Sequence, residues 1–210
     1  DDVAVGLKER ADMARAADAE MFLSLHHNAT ADPEANFPIV YYHGESTENL
    51  ASAQLAVILA DELRHELFGG KGHVSVVSDK TIFPNSGTSV LRNSYGIPGV
   101  IGEASFFTNP KEEQRLKDPE YNQREAEAYL RAIKRFFKSE TKPIMPENPS
   151  DDLPAFQVFQ EAERMNESAK QWEENFEQGK LAYEEGRYKD ALQLLELSAS
   201  AFPDSPVARQ

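Results

Sequence analysis

The chain has 210 residues, 40% of them hydrophobic, with a formal net charge of -14 and no cysteine. That charge disfavours nucleic acid and other polyanions, and the missing cysteines exclude disulfides, thiolate metal sites and cysteine nucleophiles. Mean hydropathy is -0.58, and no run approaches the roughly 20 apolar residues that a membrane span needs.

The chain opens on Asp1, without a methionine or a signal peptide, and reads as the middle of a longer protein. Val3, Leu7, Ala11 and Ala14 recur at helical spacing, with Lys8, Glu9, Arg10 and Asp12 on the other side. This predicts an amphipathic helix ending near Ala17. The run AEMFLSLH then predicts a strand of a parallel sheet, buried on both faces. NATADPEANF reads as a loop, and PIVYYHG as a second strand stopped by Gly44.

STENLASAQLAVILADELRHELF predicts a strong helix, capped by Ser46 or Thr47 and ended by Gly69 and Gly70. HVSVVSD reads as a short strand and FPNSGTS as a loop. VLRNSYGIPGVIGEASFF predicts two extended pieces around Gly96 and Pro98, the second a central strand. PEYNQREAEAYLRAIKRFFKSE predicts a long amphipathic helix with Tyr129, Ile133, Phe136 and Phe137 on the core.

Strands alternating with helices argue for an α/β fold: a mostly parallel twisted sheet flanked by helices. TKPIMPENPSDDLP, with four prolines, reads as a linker, and everything after Pro154 reads as helical and acidic. The expected organisation is an α/β domain over residues 1–140, a linker over 141–154 and an all-helical appendage over 155–210.

In open α/β sheets ligands gather beyond the carboxyl ends of strands. His26, His27 and Asn28 fall at such an end, and Glu103 sits late in an apolar strand beside Val100, Ile101, Phe106 and Phe107. A glutamate there is costly unless it is paired, metal-associated or at a strand tip. A histidine-bound zinc with a nearby carboxylate suffices for hydrolysis: the metal acidifies a water and the carboxylate takes its proton. Plain readings stand beside this one. A strand-end histidine can be a solvated loop residue, and Glu103 can be a salt-bridged carboxylate. Arg92 can bind an anionic substrate group or only pack a helix. His43, His65 and His73 carry no spacing signal and read as surface residues.

ERADMARAADAEMFLSLHHNA, YYHGES and SVLRNSYGIPGVIGEASFFTNP occur in that order. Together they resemble the zinc-dependent N-acetylmuramoyl-L-alanine amidases of bacterial cell walls, over about residues 1–138. Ser24, Leu25, His26, His27, Asn28 and Ala29 match the family's Ser-aliphatic-His-x-Asn-Ala segment. The resemblance implies that His26 is a zinc ligand, that His27 holds a variable position and that Glu103 is the catalytic glutamate. Asn28 and Arg92 become candidate substrate contacts. Ser105 departs from a usual glycine and Gly102 from a usual aliphatic residue. The family's first zinc histidine, in a Gly-His-Gly-Gly segment, and its helical glutamate ligand have no counterpart in the chain. The resemblance therefore implies an N-terminally truncated enzyme, inactive as this piece alone. Its cofactor would be zinc and its substrate peptidoglycan, and its place would be outside the cytoplasm, in the periplasm or cell wall.

FEQGKLAYEEGRYKDALQLLELSASAFPDSP resembles one tetratricopeptide repeat, with Gly179, Gly186, Tyr188, Ala191, Leu195 and Pro203 on matching positions. An ordinary helical hairpin fits equally well. One repeat cannot bury its own face, so it implies further repeats, packing on the segment with Phe156, Phe159 and Met165, or a protein partner. The alternative for the whole chain is a non-catalytic peptidoglycan-binding scaffold that recruits a partner through helical repeats.

Overall fold

A computed structural model describes residues 4–84, 86–147 and 174–201. Two compact units partition the chain, Asp1–Gln160 and Glu161–Gln210. The first has the expected α/β architecture. Helix α1 (Leu7–Ala16) leads into strand β1 (Phe22–Asn28), then β2 (Ile39–Tyr42), helix α2 (Leu50–Phe68) and β3 (Ser75–Ser78). A 3-10 turn (Asp79–Thr81), a short helix α3 (Ser89–Asn93), β4 (Gly99–Phe106), α4 (Pro110–Arg115) and the long α5 (Pro119–Lys138) follow.

The four strands lie in the order β1-β4-β2-β3. β1 runs parallel to β4 and β2 parallel to β3, while β4 and β2 are antiparallel. The sheet is therefore mixed and mostly parallel. Its direction has a consequence for chemistry: β1 and β4 release their carboxyl ends at one end of the sheet, β2 and β3 at the other.

Alternation along the strands divides the core into two layers. Val40, Val100 and Ala104 face α2 and α5, where Leu55, Leu59, Leu63, Tyr129 and Phe136 bury against them. Ile39, Tyr41 and Ile101 face the other way and pack with Ile82, Val90, Leu91 and Phe106. On the surface α2 and α5 are stitched by ion pairs: Arg131 and Arg135 to Glu62, Arg131 and Arg124 to Glu66, and Arg135 to Asp61.

Several local expectations need correction. β1 is an edge strand among the described residues, not one buried on both faces; Leu25 is 58% exposed. α1 buries Ala11 alone, and Leu7 and Met13 stay exposed, so its apolar stripe is largely uncovered. Asn49, not Ser46 or Thr47, caps α2, its side chain accepting from the Ser52 amide. The first extended piece around Gly96 is instead the helix α3, which buries Val90 and Leu91. Phe137 is 50% exposed while Phe136 is buried. The segment expected to be a loose linker starts as a strap: Ile144 bridges to Asn49, the Met145 amide donates to Glu48 O at 2.7 Å, and Tyr95 Oη donates to Met145 O at 2.8 Å.

In the second unit residues 174–184 form helix α6, and Tyr188–Ala201 form α7. Gly186, with φ 77°, turns between them. Ala182 and Ala191 are buried, and a Cβ on Gly179 would lie 2.9 Å from Leu195 Cγ, so the two helices touch closely there. Leu181, Tyr183, Tyr188, Leu192 and Leu197 remain exposed. Phe156, Phe159, Met165, Trp172 and Pro203 lie outside the described residues.

Candidate active site

The register brings the two principal candidates together. His26 on β1 pairs directly with Glu103 on β4, and Ile39 of β2 lies opposite Glu103 on the other side. Paired residues on adjacent strands project from the same face. His26 and Glu103 therefore point to one side, in the carboxyl half of two parallel strands. Immediately beyond them the ladder slips: His26 pairs with Glu103 but Asn28 with Phe106, so β4 carries one extra residue. Such a bulge re-aims side chains and is common beside reactive sites. It places Ser105 at zero exposure with no hydrogen-bond partner for its Oγ. The serine that replaces a usual glycine is thus part of the bulge.

His26 is exposed, and its Nε2 lies 2.9 Å from Ser24 Oγ, two residues back on the same face. Its pKa is held below the ordinary histidine value by partial loss of water around the ring, then by Arg10 and by His27. The ring is accordingly neutral at pH 7, the form that ligates metals. His27 faces the other way. Its Nε2 is 2.9 Å from Glu125 Oε2 on α5, and that hydrogen bond, opposed by burial and reinforced by carboxylate charge, raises its pKa. With Glu125 and Tyr129 it lines an open hollow of about 420 Å³ on the helical face. The two adjacent histidines thus serve opposite faces of the sheet.

Gly102 now has a physical reason. Tyr129 Oη donates to Gly102 O at 2.9 Å. A Cβ at position 102 would stand 2.6 Å from that hydroxyl and 3.0 Å from Leu59 Cδ2. The missing side chain lets α5 seat a tyrosine directly behind Glu103, where burial raises its pKa strongly.

The two candidate substrate contacts are engaged locally. Asn28 Oδ1 accepts from the Ala29 amide at 2.8 Å. Arg92, on α3, donates from Nη1 to Ser86 O at 2.6 Å and Gly87 O at 3.1 Å, so it fastens a loop. Sequence reading missed Glu125, although it falls on the same helical stripe as the buried Tyr121 and Tyr129; a carboxylate on an apolar stripe was the available signal.

His43 is a correction. It is 1% exposed, not a surface residue. Its Nδ1 lies 2.9 Å from Asp79 Oδ2, and Asp79 also accepts from the Thr88 amide at 2.7 Å and Thr88 Oγ1 at 2.8 Å. This cluster sits where β2 and β3 end, at the opposite end of the sheet from His26 and Glu103.

The donor set meets zinc's requirement only in part. Catalytic zinc usually takes three protein ligands. Among the described residues no group of three or more His, Cys, Asp or Glu side chains converges. His26 supplies one suitable imidazole and Glu103 one carboxylate.

Comparison with known proteins gives consistent relatives. The family model described as N-acetylmuramoyl-L-alanine amidase (Amidase_3) matches residues 1–135. The chain is 26% identical over 137 residues to the germination-specific N-acetylmuramoyl-L-alanine amidase of Bacillus subtilis, covering 65% of this chain and 53% of that protein. It thus spans about half the length of that relative. A crystal structure of an N-acetylmuramoyl-L-alanine amidase from Clostridium difficile superposes with a TM-score of 0.58 at 25% identity, over 67% of this chain and 69% of that one. The CwlD amidase of Clostridioides difficile, solved in complex with the GerS lipoprotein, shares the fold at 23% identity, with a TM-score of 0.55 over 64% of this chain and 62% of that one.

Proposed function

The chain belongs to the N-acetylmuramoyl-L-alanine amidase family, and from that premise we propose that it takes part in hydrolysing the amide between N-acetylmuramic acid and L-alanine in peptidoglycan, outside the cytoplasm. The observation that carries the reading is the direct register of His26 with Glu103 on one face of parallel strands. Glu103 is the general base: its carboxylate accepts a proton from the attacking water and returns it to the departing amine nitrogen. Ile39, fully buried beside Glu103, keeps one flank of the carboxylate apolar. His26, neutral at pH 7, is the zinc ligand from this part of the chain. Bound zinc would polarise the amide carbonyl and acidify its water. The further ligands are not among the described residues, where no group of three or more His, Cys, Asp or Glu side chains converges. Asn28 and Arg92 shape the surrounding loops and are the candidate contacts to glycan and peptide.

The paired helices α6 and α7, with their exposed Leu181, Tyr183 and Leu192, are read as a tetratricopeptide-like hairpin that recruits a protein partner.

The test is Glu103→Gln in a zinc-loaded preparation of the full-length protein, with metal content measured beside release of peptide from peptidoglycan. The amide preserves shape but cannot act as a base. Activity should fall by about 10²- to 10⁴-fold with zinc retained. Activity near the parent level removes Glu103 from the mechanism, and peptidoglycan binding without turnover in the parent favours the scaffold reading.

A further inference from the structure

The strap over residues 141–147 ends in a contact that the proposed reaction does not use. Glu147 Oε1 lies 3.0 Å from Lys80 Nζ and 3.3 Å from His43 Nε2. Lys80 and His43 are 2% and 1% exposed, whereas the Glu147 side chain is 31% exposed. A carboxylate carried on a strap from outside has entered a pocket whose walls belong to the α/β domain.

The cation in those walls is the buried Lys80 ammonium. Asp79, a carboxylate, can only accept, so the proton facing it sits on His43 Nδ1 and the ring is oriented with Nε2 toward the pocket, where it donates to an anion only when the ring carries a second proton. Thr88 holds Asp79 by two further hydrogen bonds, and Asn49 Nδ2 donates to His43 O at 2.9 Å, fixing the base of the ring. Gly87 closes the floor: a Cβ there would stand 2.4 Å from His43 Nδ1. His43 Nε2 is buried and, although Glu147 is near, has no aligned hydrogen-bond partner. Among the described residues Glu147 is the ion-pair partner of the Lys80 ammonium. A buried ammonium that loses its counter-charge is strongly unfavourable. If Glu147 leaves, the pocket demands another anion.

We propose that the His43–Lys80 pocket is a carboxylate-binding site, occupied in this structure by the chain's own Glu147 and open to a carboxylate ligand when the strap lifts. It lies at the opposite end of the sheet from Glu103, so it does not depend on the catalytic reading. The ligand class is a carboxylate on a small, unbranched stem, because that is the group already accommodated. An acidic wall peptide and a free small carboxylate both carry that chemistry.

A tethered competitor weakens an external ligand by the fraction of time the pocket is open. The experiment titrates the full 210-residue chain, its Glu147→Ala variant and the double variant Glu147→Ala, Lys80→Met with sodium acetate. It follows the five histidine ring signals by nuclear magnetic resonance at constant ionic strength, with sodium chloride as the blank. In Glu147→Ala the His43 signal should saturate at an acetate concentration at least about tenfold lower than in the parent. Saturation should disappear in the double variant. A second arm uses soluble peptidoglycan peptide: saturation below the acetate concentration assigns a wall peptide, and saturation by acetate alone assigns a small carboxylate. An independent readout avoids substitution altogether. In the parent chain, added ligand should speed hydrogen exchange at the Met145 amide, which the strap holds on Glu48 O. No saturation of His43 in Glu147→Ala, or saturation that survives loss of Lys80, overturns the proposal. Exchange at Met145 that ignores the ligand does so too.

Discussion

Two histidines at opposite ends of the same sheet show opposite relations between sequence and surroundings. His26 is exposed and leans on Ser24, two residues away. His43 is sealed and leans on Asp79, 36 residues away, and on Glu147 beyond that. The first stands in a recognisable local motif but has few partners among the described residues. The second has no motif and is held from several sides. A reactive group must keep open positions for what it will bind, whereas a buried imidazole without partners would cost several kcal/mol. Exposure and sparse bonding leave the His26 ring open to a further partner, whereas dense bonding on one side fixes where the His43 ring points.

Stability measurements sharpen the contrast most. His43→Ala removes one wall of a buried charge cluster and leaves Asp79 and Glu147 short of a partner, a loss of about 3 kcal/mol or more. Urea unfolding should show it directly, and a change below about 1 kcal/mol would break the comparison. Gly87→Ala tests the same end by a different route. The new methyl meets both His43 and Asp79, at 2.4 Å and 2.6 Å, from a backbone with φ 60°. A cost of about 2 kcal/mol follows from overpacking and left-handed strain, and an unchanged unfolding midpoint would show that the pocket is looser than described.

The seam on the helical face supplies a pH-dependent control that touches neither histidine. Burial works to raise the Glu62 carboxyl, but hydrogen bonds from Arg135 and Arg131 outweigh it and hold its pKa below the ordinary carboxylate value. Glu66 is lowered chiefly by Arg124, and Asp61 by Arg135. A carboxyl lowered on folding adds stability that is complete above its unfolded pKa, about 4.3 for glutamate, and is lost as pH falls through the folded value. Unfolding free energy should therefore decline below about pH 4, by less than about 1 kcal/mol for each such half-exposed pair. Arg135→Met should flatten that acid limb; a limb of unchanged steepness would point to other carboxylates. The smallest effect belongs to His26→Ala, within about 0.5 kcal/mol of the parent, because an exposed side chain with one local hydrogen bond contributes little.

Legibility followed the range of the interactions. The helices α2 and α5 and the strands β1 and β4 could be read because apolar periodicity is local, whereas the association of His26 with Glu103 came from the family resemblance. The sheet order could not, and with it went the expectation that β1 is covered on both sides. α3 was hidden because Val90 and Leu91 suit a strand as well as a helix, and only packing decides between them. His43 was misread because its burial depends on Asp79, Thr88 and Glu147, none of them near it in the chain. Gly102 stood as a departure from a usual aliphatic residue, and its reason lies in Tyr129, 27 residues later.

That last pair constrains what the sequence can become. A side chain at position 102 requires the phenol at 129 to leave, and a phenol at 129 requires position 102 to stay bare. Growth at 102 cannot come first; Tyr129→Phe, which keeps the ring and removes only the hydroxyl that a Cβ at 102 would meet at 2.6 Å, has to precede it. The strand that carries Glu103 and the helix behind it are thereby tied to each other. Chains descended from this one should keep or exchange the two positions together, and a hybrid built by joining this strand to a relative's helix should fail at this point before any other.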